Sequence, residues 1–215
     1  MARPRSATAR REPRPNPTRA TFISMDTYEI NPSKEWPPKH WSLNQKWATA
    51  AIFRANGGLN FLIECLEYIH RGGTDAAYSR SLYILLSYNV ELIFEARLLL
   101  VSEQLGKDER RLRAVLKCKH NHDLELLSYK IGKDDLQGIG IVDVKSETKN
   151  DLKRYVVTMS NGDKIIVEDL ECVRYDFEKY NKRRDSDFKE AERIKGEVKS
   201  LLNITYIIME MLPKQ

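Results

Sequence analysis

The chain has 215 residues and an apolar fraction of 41%, which fits one domain with its own core. Its net charge of +5 sits entirely in residues 1–20, where six arginines face a single glutamate; the remaining 30 basic and 30 acidic side chains cancel. A neutral body has no global field to draw it onto nucleic acid, so such binding would need a local patch or the N-terminal arm.

Residues 1–24 are rich in Arg, Pro, Ala and Thr and are expected to form a disordered basic tail, either a dispensable extension or an arginine-rich arm or transit segment. Residues 25–215 are expected to form a single domain. Ser42 and Gln45 have capping-box spacing, so a helix should start there and run to about Ile69. Gly57-Gly58 interrupts it and predicts close approach of a neighbouring helix, or a kink. A second helix runs from about Ala76 to Gln104. It is almost wholly apolar yet carries Asn89, Glu91 and Glu95, which predicts a polar seam in a bundle or at a dimer interface. A basic helix follows at 108–119. Asn121 is the candidate cap of a short helix, His122 to Lys130, stopped by Gly132.

The apolar period then changes from 3.6 to 2, and an inserted sheet is expected at about 138–170. Its strands are Ile139–Val144, Tyr155–Met159 and Lys164–Val167, the last two closed by Ser160-Asn161-Gly162-Asp163 in a type I′ turn. A final amphipathic helix spans about Asp187 to Leu212. The fold class is therefore mainly α: a bundle of four to five helices with a small antiparallel sheet of about three strands before the last helix.

Several constellations could carry chemistry. Lys107, Arg110, Arg111, Arg113, Lys117 and Lys119 outnumber Asp108 and Glu109, a local +4 that is either a solvated face or a phosphate-contacting patch. Arg113 and His120 have the spacing of an acid–base and anion-stabilising pair. Cys118-Lys119-His120-Asn121-His122-Asp123 gathers potential metal ligands. The stronger reading is that Asn121 and Asp123 satisfy a helix N-terminus, and no metal is assigned. Glu91 and Glu95 share a helix face, where acid–base or metal chemistry competes with pairing to a basic residue such as Arg174. Cys65, Cys118 and Cys172 are odd in number and lack a Cys-x-x-Cys pair, which suits a reducing, cytoplasmic setting. No run is apolar enough for a membrane span, and none has the form of a secretory signal.

Three pieces in order, Val90-Glu91-Leu92, His122-Asp123-Leu124-Glu125-Leu126-Leu127 and Val173-Arg174-Tyr175-Asp176, resemble the HEPN (higher eukaryote and prokaryote nucleotide-binding) family over about half of the chain. The resemblance implies a helical, cytoplasmic homodimer that binds RNA or a nucleotide, belongs to a prokaryotic defence or toxin–antitoxin system with an antitoxin or other protein partner, and in active members cleaves RNA without metal or cofactor. That family places an Arg, four to six residues and a His near its last core helix. Here no histidine follows Arg174, because the four histidines are His40, His70, His120 and His122. The candidate catalytic residues are thus Arg113, His120, His122 and Arg174. The candidate RNA or nucleotide contacts are Arg110, Arg111, Lys117 and Lys119, and Glu91, Asp123 and Tyr175 are expected to be structural. The competing expectation is a non-catalytic dimeric scaffold with the hairpin as its partner surface.

Overall fold

The computed structural model describes residues 37–71, 76–102, 123–149, 152–170 and 187–213. The chain divides into residues 1–38 and 39–215, and every element below belongs to the second unit. In chain order these are α1 (Leu43–His70), α2 (Ala76–Val101), α3 (Leu124–Ile131), α4 (Lys133–Gln137), β1 (Ile141–Lys149), β2 (Leu152–Met159), β3 (Lys164–Glu168) and α5 (Asp187–Glu210). The described residues thus form a mostly helical structure with a three-stranded antiparallel sheet, order β1-β2-β3.

The start of α1 follows from its sequence. The Ser42 hydroxyl accepts from the Gln45 amide at 3.2 Å, and the Gln45 side chain accepts from the Ser42 amide at 2.9 Å. Two orphan donors are satisfied reciprocally. Between Ser42 and Gln45 in the chain, Asn44 reaches across to α2, where its Nδ2 donates to Leu99 O at 2.9 Å and Ser102 O at 3.0 Å. Carbonyls that α2 leaves open at its C-terminal end are closed by α1, which fixes the two helices as antiparallel.

Gly58 lies against Asn89 at the same interface, and a Cβ there would fall 2.3 Å from Asn89 Oδ1. Close approach of a neighbouring helix therefore explains Gly58. It does not explain Gly57, where a Cβ would meet nothing within 4 Å. Asn56 Nδ2 donates to Thr205 Oγ1 at 3.0 Å, a polar link between α1 and α5, and Asn89, Asn56 and Thr205 are all buried. Thr205 also donates to Leu202 O, and Asn89 Nδ2 donates to Leu85 O of its own helix while the buried Oδ1 is left without a partner among the described residues.

Arg97 of α2 joins three elements. It donates to Asp135 Oδ1 of α4 at 2.5 Å and to Met211 Sδ, just past α5, at 3.2 Å. Leu86, Val90, Ile93 and Phe94 of α2 are fully buried between α1, α5, α3 and β3.

The sheet covers the other flank of α2. Tyr155, Val157 and Met159 of β2 alternate towards the core with Ile165 and Val167 of β3. In β1 the inward residues are Ile141 and Val144, three apart rather than two. A register shift between Ile141 and Asp143 opposite Met159 and Thr158 accounts for this: Val142 is the extra residue of a β-bulge. At the other end of the sheet, the amide of Ile166 on edge strand β3 donates to Glu197 Oε1 of α5 at 3.1 Å, and Arg193 holds the same carboxylate.

Three expectations need correction. The cap of the short helix is Asp123, not Asn121: its side chain accepts from Leu126 N, and the helix starts at Leu124. The β2–β3 turn is not type I′ over Asn161-Gly162. Gly162 N bonds Met159 O and Met159 N bonds Asp163 O, so the loop has three residues and Gly162, at φ +88°, closes it as a glycine bulge. Strand β1 starts two residues later than expected and extends to Lys149, because its outer half is polar and carries no alternating apolar signal. The short α4 was not anticipated; it restarts the chain after Gly132, whose φ of +92° ends α3. The basic helix expected at 108–119 lies outside the described residues.

Candidate functional site

A polar cluster lies where the N-terminus of α3 meets the ends of β2 and β3 over the middle of α2. Asp123 organises it. One carboxylate oxygen caps α3 through the Leu126 amide at 3.0 Å, and the other accepts from Lys153 Nζ at 3.1 Å. Lys153 lies two residues before Tyr155 on the same face of β2, so its ammonium also sits 4.9 Å from the centre of the Tyr155 ring. Tyr155 is 1% exposed, and its hydroxyl donates to Asp169 Oδ2 at 3.0 Å. The loop is closed by backbone, because Asp169 N donates to Lys153 O at 3.1 Å. A buried phenol needs such a partner, and the strand's inward register supplies it.

On the α2 side, Ser87 Oγ donates to Glu168 O at 2.7 Å. Glu91, one turn on, is 7% exposed. Ser87, Glu91, Leu124, Tyr155, Val167, Glu168 and Leu170 line a narrow crevice. It is too tight to take a nucleotide.

The electrostatics follow from this geometry. Burial opposes the charge of Asp123, but the Leu126 amide and the Lys153 ammonium outweigh it and hold the carboxyl below the usual carboxylate range. Burial, then the negative charges of Asp169 and Asp123, pushes the Tyr155 phenol well above its ordinary value, so it remains a protonated donor. Among the described residues no group of three or more His, Cys, Asp or Glu side chains is placed to hold a metal ion.

Of the residues singled out in the sequence, Cys65, Glu91, Glu95 and Asp123 are described, and the fold brings Glu91 and Asp123 to this region. Arg110, Arg111, Arg113, Lys117, Lys119, His120, His122, Arg174 and Tyr175 lie outside the described residues, as do Cys118 and Cys172. Lys153, Tyr155 and Asp169 were not singled out. The available signal was the Tyr155, Val157, Met159 alternation, which turns a phenol inwards and demands an acceptor. No family model, curated protein or solved structure matches this chain. No described helix is long and apolar enough to cross a membrane.

Proposed function

We propose that this chain is a HEPN-like RNA-binding protein of the prokaryotic defence or toxin–antitoxin type, with a metal-independent ribonuclease activity centred beside the Asp123 cluster. One observation carries the reading: Asp123 and Asp169 are tied to the same residue of β2, Lys153. His122 is bonded directly to Asp123, and Arg174 is five residues beyond Asp169. Five extended residues span at most about 17 Å. The two segments that carry the candidate histidines and arginine therefore attach to neighbouring points of one rigid scaffold. A tether of that length lets Arg174 approach His122, which supports a shared site.

The chemistry asks little more. A histidine removes the proton from an attacking ribose hydroxyl or returns one to the leaving oxygen, and an arginine stabilises the charge that builds on the phosphate. His122 with Arg174, or His120 with Arg113, fills these roles, while Arg110, Arg111, Lys117 and Lys119 bind the backbone. Asp123 and Glu91 are structural in this scheme. The tightness of the crevice around Glu91 supports that assignment.

A second reading, a non-catalytic scaffold, is favoured by the exposed polar run Lys145–Lys149 on β1, which gives the hairpin a surface for a partner. Cleavage of bulk RNA by the purified protein in EDTA separates the two. Activity lost in His122→Ala or His120→Ala, with Arg174→Ala or Arg113→Ala as the matching partner, supports the ribonuclease. A folded protein that neither binds nor cleaves RNA overturns both the RNA and the ribonuclease readings.

A further inference from the structure

Arg97 is bonded to acceptors of unequal strength. Its side chain is only 12% exposed, so its N–H groups depend on partners within the protein. Nε donates to Asp135 O at 3.3 Å and Nη2 to Asp135 Oδ1 at 2.5 Å. Nη1 donates to the Met211 sulfur at 3.2 Å. A thioether is a weak acceptor and a poor match for a guanidinium N–H. Met211 lies one residue past the end of α5 and is 40% exposed. The other methionines among the described residues, Met159 and Met209, are buried at 8% and 6%. Met211 therefore meets solvent while its sulfur faces a cationic donor.

We infer that Met211 is a modification site for hydrogen peroxide, and that the sulfoxide formed there is captured by Arg97. A sulfur lone pair attacks one peroxide oxygen and the O–O bond breaks. The proton on the transferred oxygen passes to the departing hydroxide, which leaves as water. Sulfur is oxidised by two electrons and the peroxide is reduced. The new oxygen carries the negative end of the S–O bond and is a strong acceptor. It is borne by the sulfur that already faces Nη1, so a weak contact becomes a charge-assisted hydrogen bond. The Met211 side chain, exposed and beyond the helix, can draw back to make room for it. Arg97 belongs to α2 and is fixed to α4 through Asp135, so the new bond fastens the C-terminal end of α5 to both. Oxidation of a packed methionine loosens a fold, because it sets a polar group among apolar ones. At Met211 the sign is reversed.

Brief treatment of the full chain with dilute hydrogen peroxide, then with a thiol reductant to restore reversibly oxidised cysteines, tests this by peptide mass mapping and thermal melting. In the folded protein Met211 should gain an oxygen several-fold faster than Met159 or Met209. The chain oxidised at Met211 should melt roughly 2–4 °C above the reduced chain, the shift that one added hydrogen bond gives a domain of this size. Met211→Leu keeps the bulk of the side chain at an exposed position, and the same treatment should then give no rise. Arg97→Leu should abolish the rise as well, with the oxidised and reduced forms of that variant compared to each other. The Met211→Leu comparison stands without it. Oxidation of Met211 no faster than of the two buried methionines overturns the inference. So does an oxidised chain that melts at or below the reduced one, or a rise that survives Met211→Leu. No RNA enters the experiment, so its failure leaves the ribonuclease reading standing.

Discussion

A methyl group added at Gly58 would have to displace the Asn89 amide, since the Cβ would lie 2.3 Å from its oxygen and 2.6 Å from its nitrogen. Asn89 has nowhere to go: it is fully buried and holds Leu85 O at 2.7 Å. Gly58→Ala should therefore cost about 1–3 kcal/mol through overpacking, despite the better helix propensity of alanine. The adjacent change should have the opposite sign. Gly57→Ala meets open space and should stabilise the chain by about 0.5–1 kcal/mol. Urea denaturation of the two variants beside the wild type measures both, and equal shifts would contradict the difference drawn between them. Sequence placed these glycines in one dipeptide with one shared explanation. Only the position of Asn89, 31 positions further along the chain, separates them.

Among the elements, α3 depends most on a single side chain. It has eight residues, too few to hold as an isolated helix, and Asp123 anchors its start to the sheet. Asp123→Ala should cost about 1 kcal/mol at neutral pH, the usual loss of a cap. Its pH dependence has a definite sign. The folded carboxyl titrates below its unfolded value, so its contribution is complete above the unfolded pKa and is lost as pH falls through the folded one. Asp123→Asn keeps a capping oxygen but should flatten that part of the acid limb, as thermal melts across acidic pH would show. The elements were legible to the extent that their signals are local. The Ser42–Gln45 box sits three residues apart and is read directly. Asn121 and Asp123 are both good caps, and nothing within a few residues ranks them; Lys153, from another element, is what secures Asp123. The hairpin turn differs from the expected type for a similar reason. Asn-Gly suits two turn geometries, and the pairing of Met159 with Asp163 selects the longer loop.

For the whole molecule, charge is the property to follow. Residues 1–20 carry the entire net charge, yet the proposed RNA contacts belong to a local basic segment in a neutral body. Removing residues 1–20 should leave the salt dependence of RNA binding unchanged. Lys117→Gln with Lys119→Gln should lower the slope of log affinity against log salt by about 1.4, the value for two phosphate contacts on a single strand. Fluorescence anisotropy over a salt series distinguishes these outcomes, and a slope that collapses with the arm would move the binding site there. The mainly helical class and the inserted sheet could be read from periodicity, because they reflect burial patterns along short segments. The polar cluster could not, since Asp123, Lys153 and Asp169 come from three separate stretches. The sheet has one more implication. Its two edges are protected by different means: β1 by a run of charged and hydroxyl side chains, β3 by the Glu197 carboxylate that occupies the Ile166 amide. The first protection is written into the strand itself; the second is on loan from α5. If the first turns of α5 lift away, β3 presents an unsatisfied amide flanked by Ile165 and Val167, the kind of edge that recruits strands from other chains. Aggregation of this protein under stress should therefore begin with the undocking of its last helix, before the bundle itself melts.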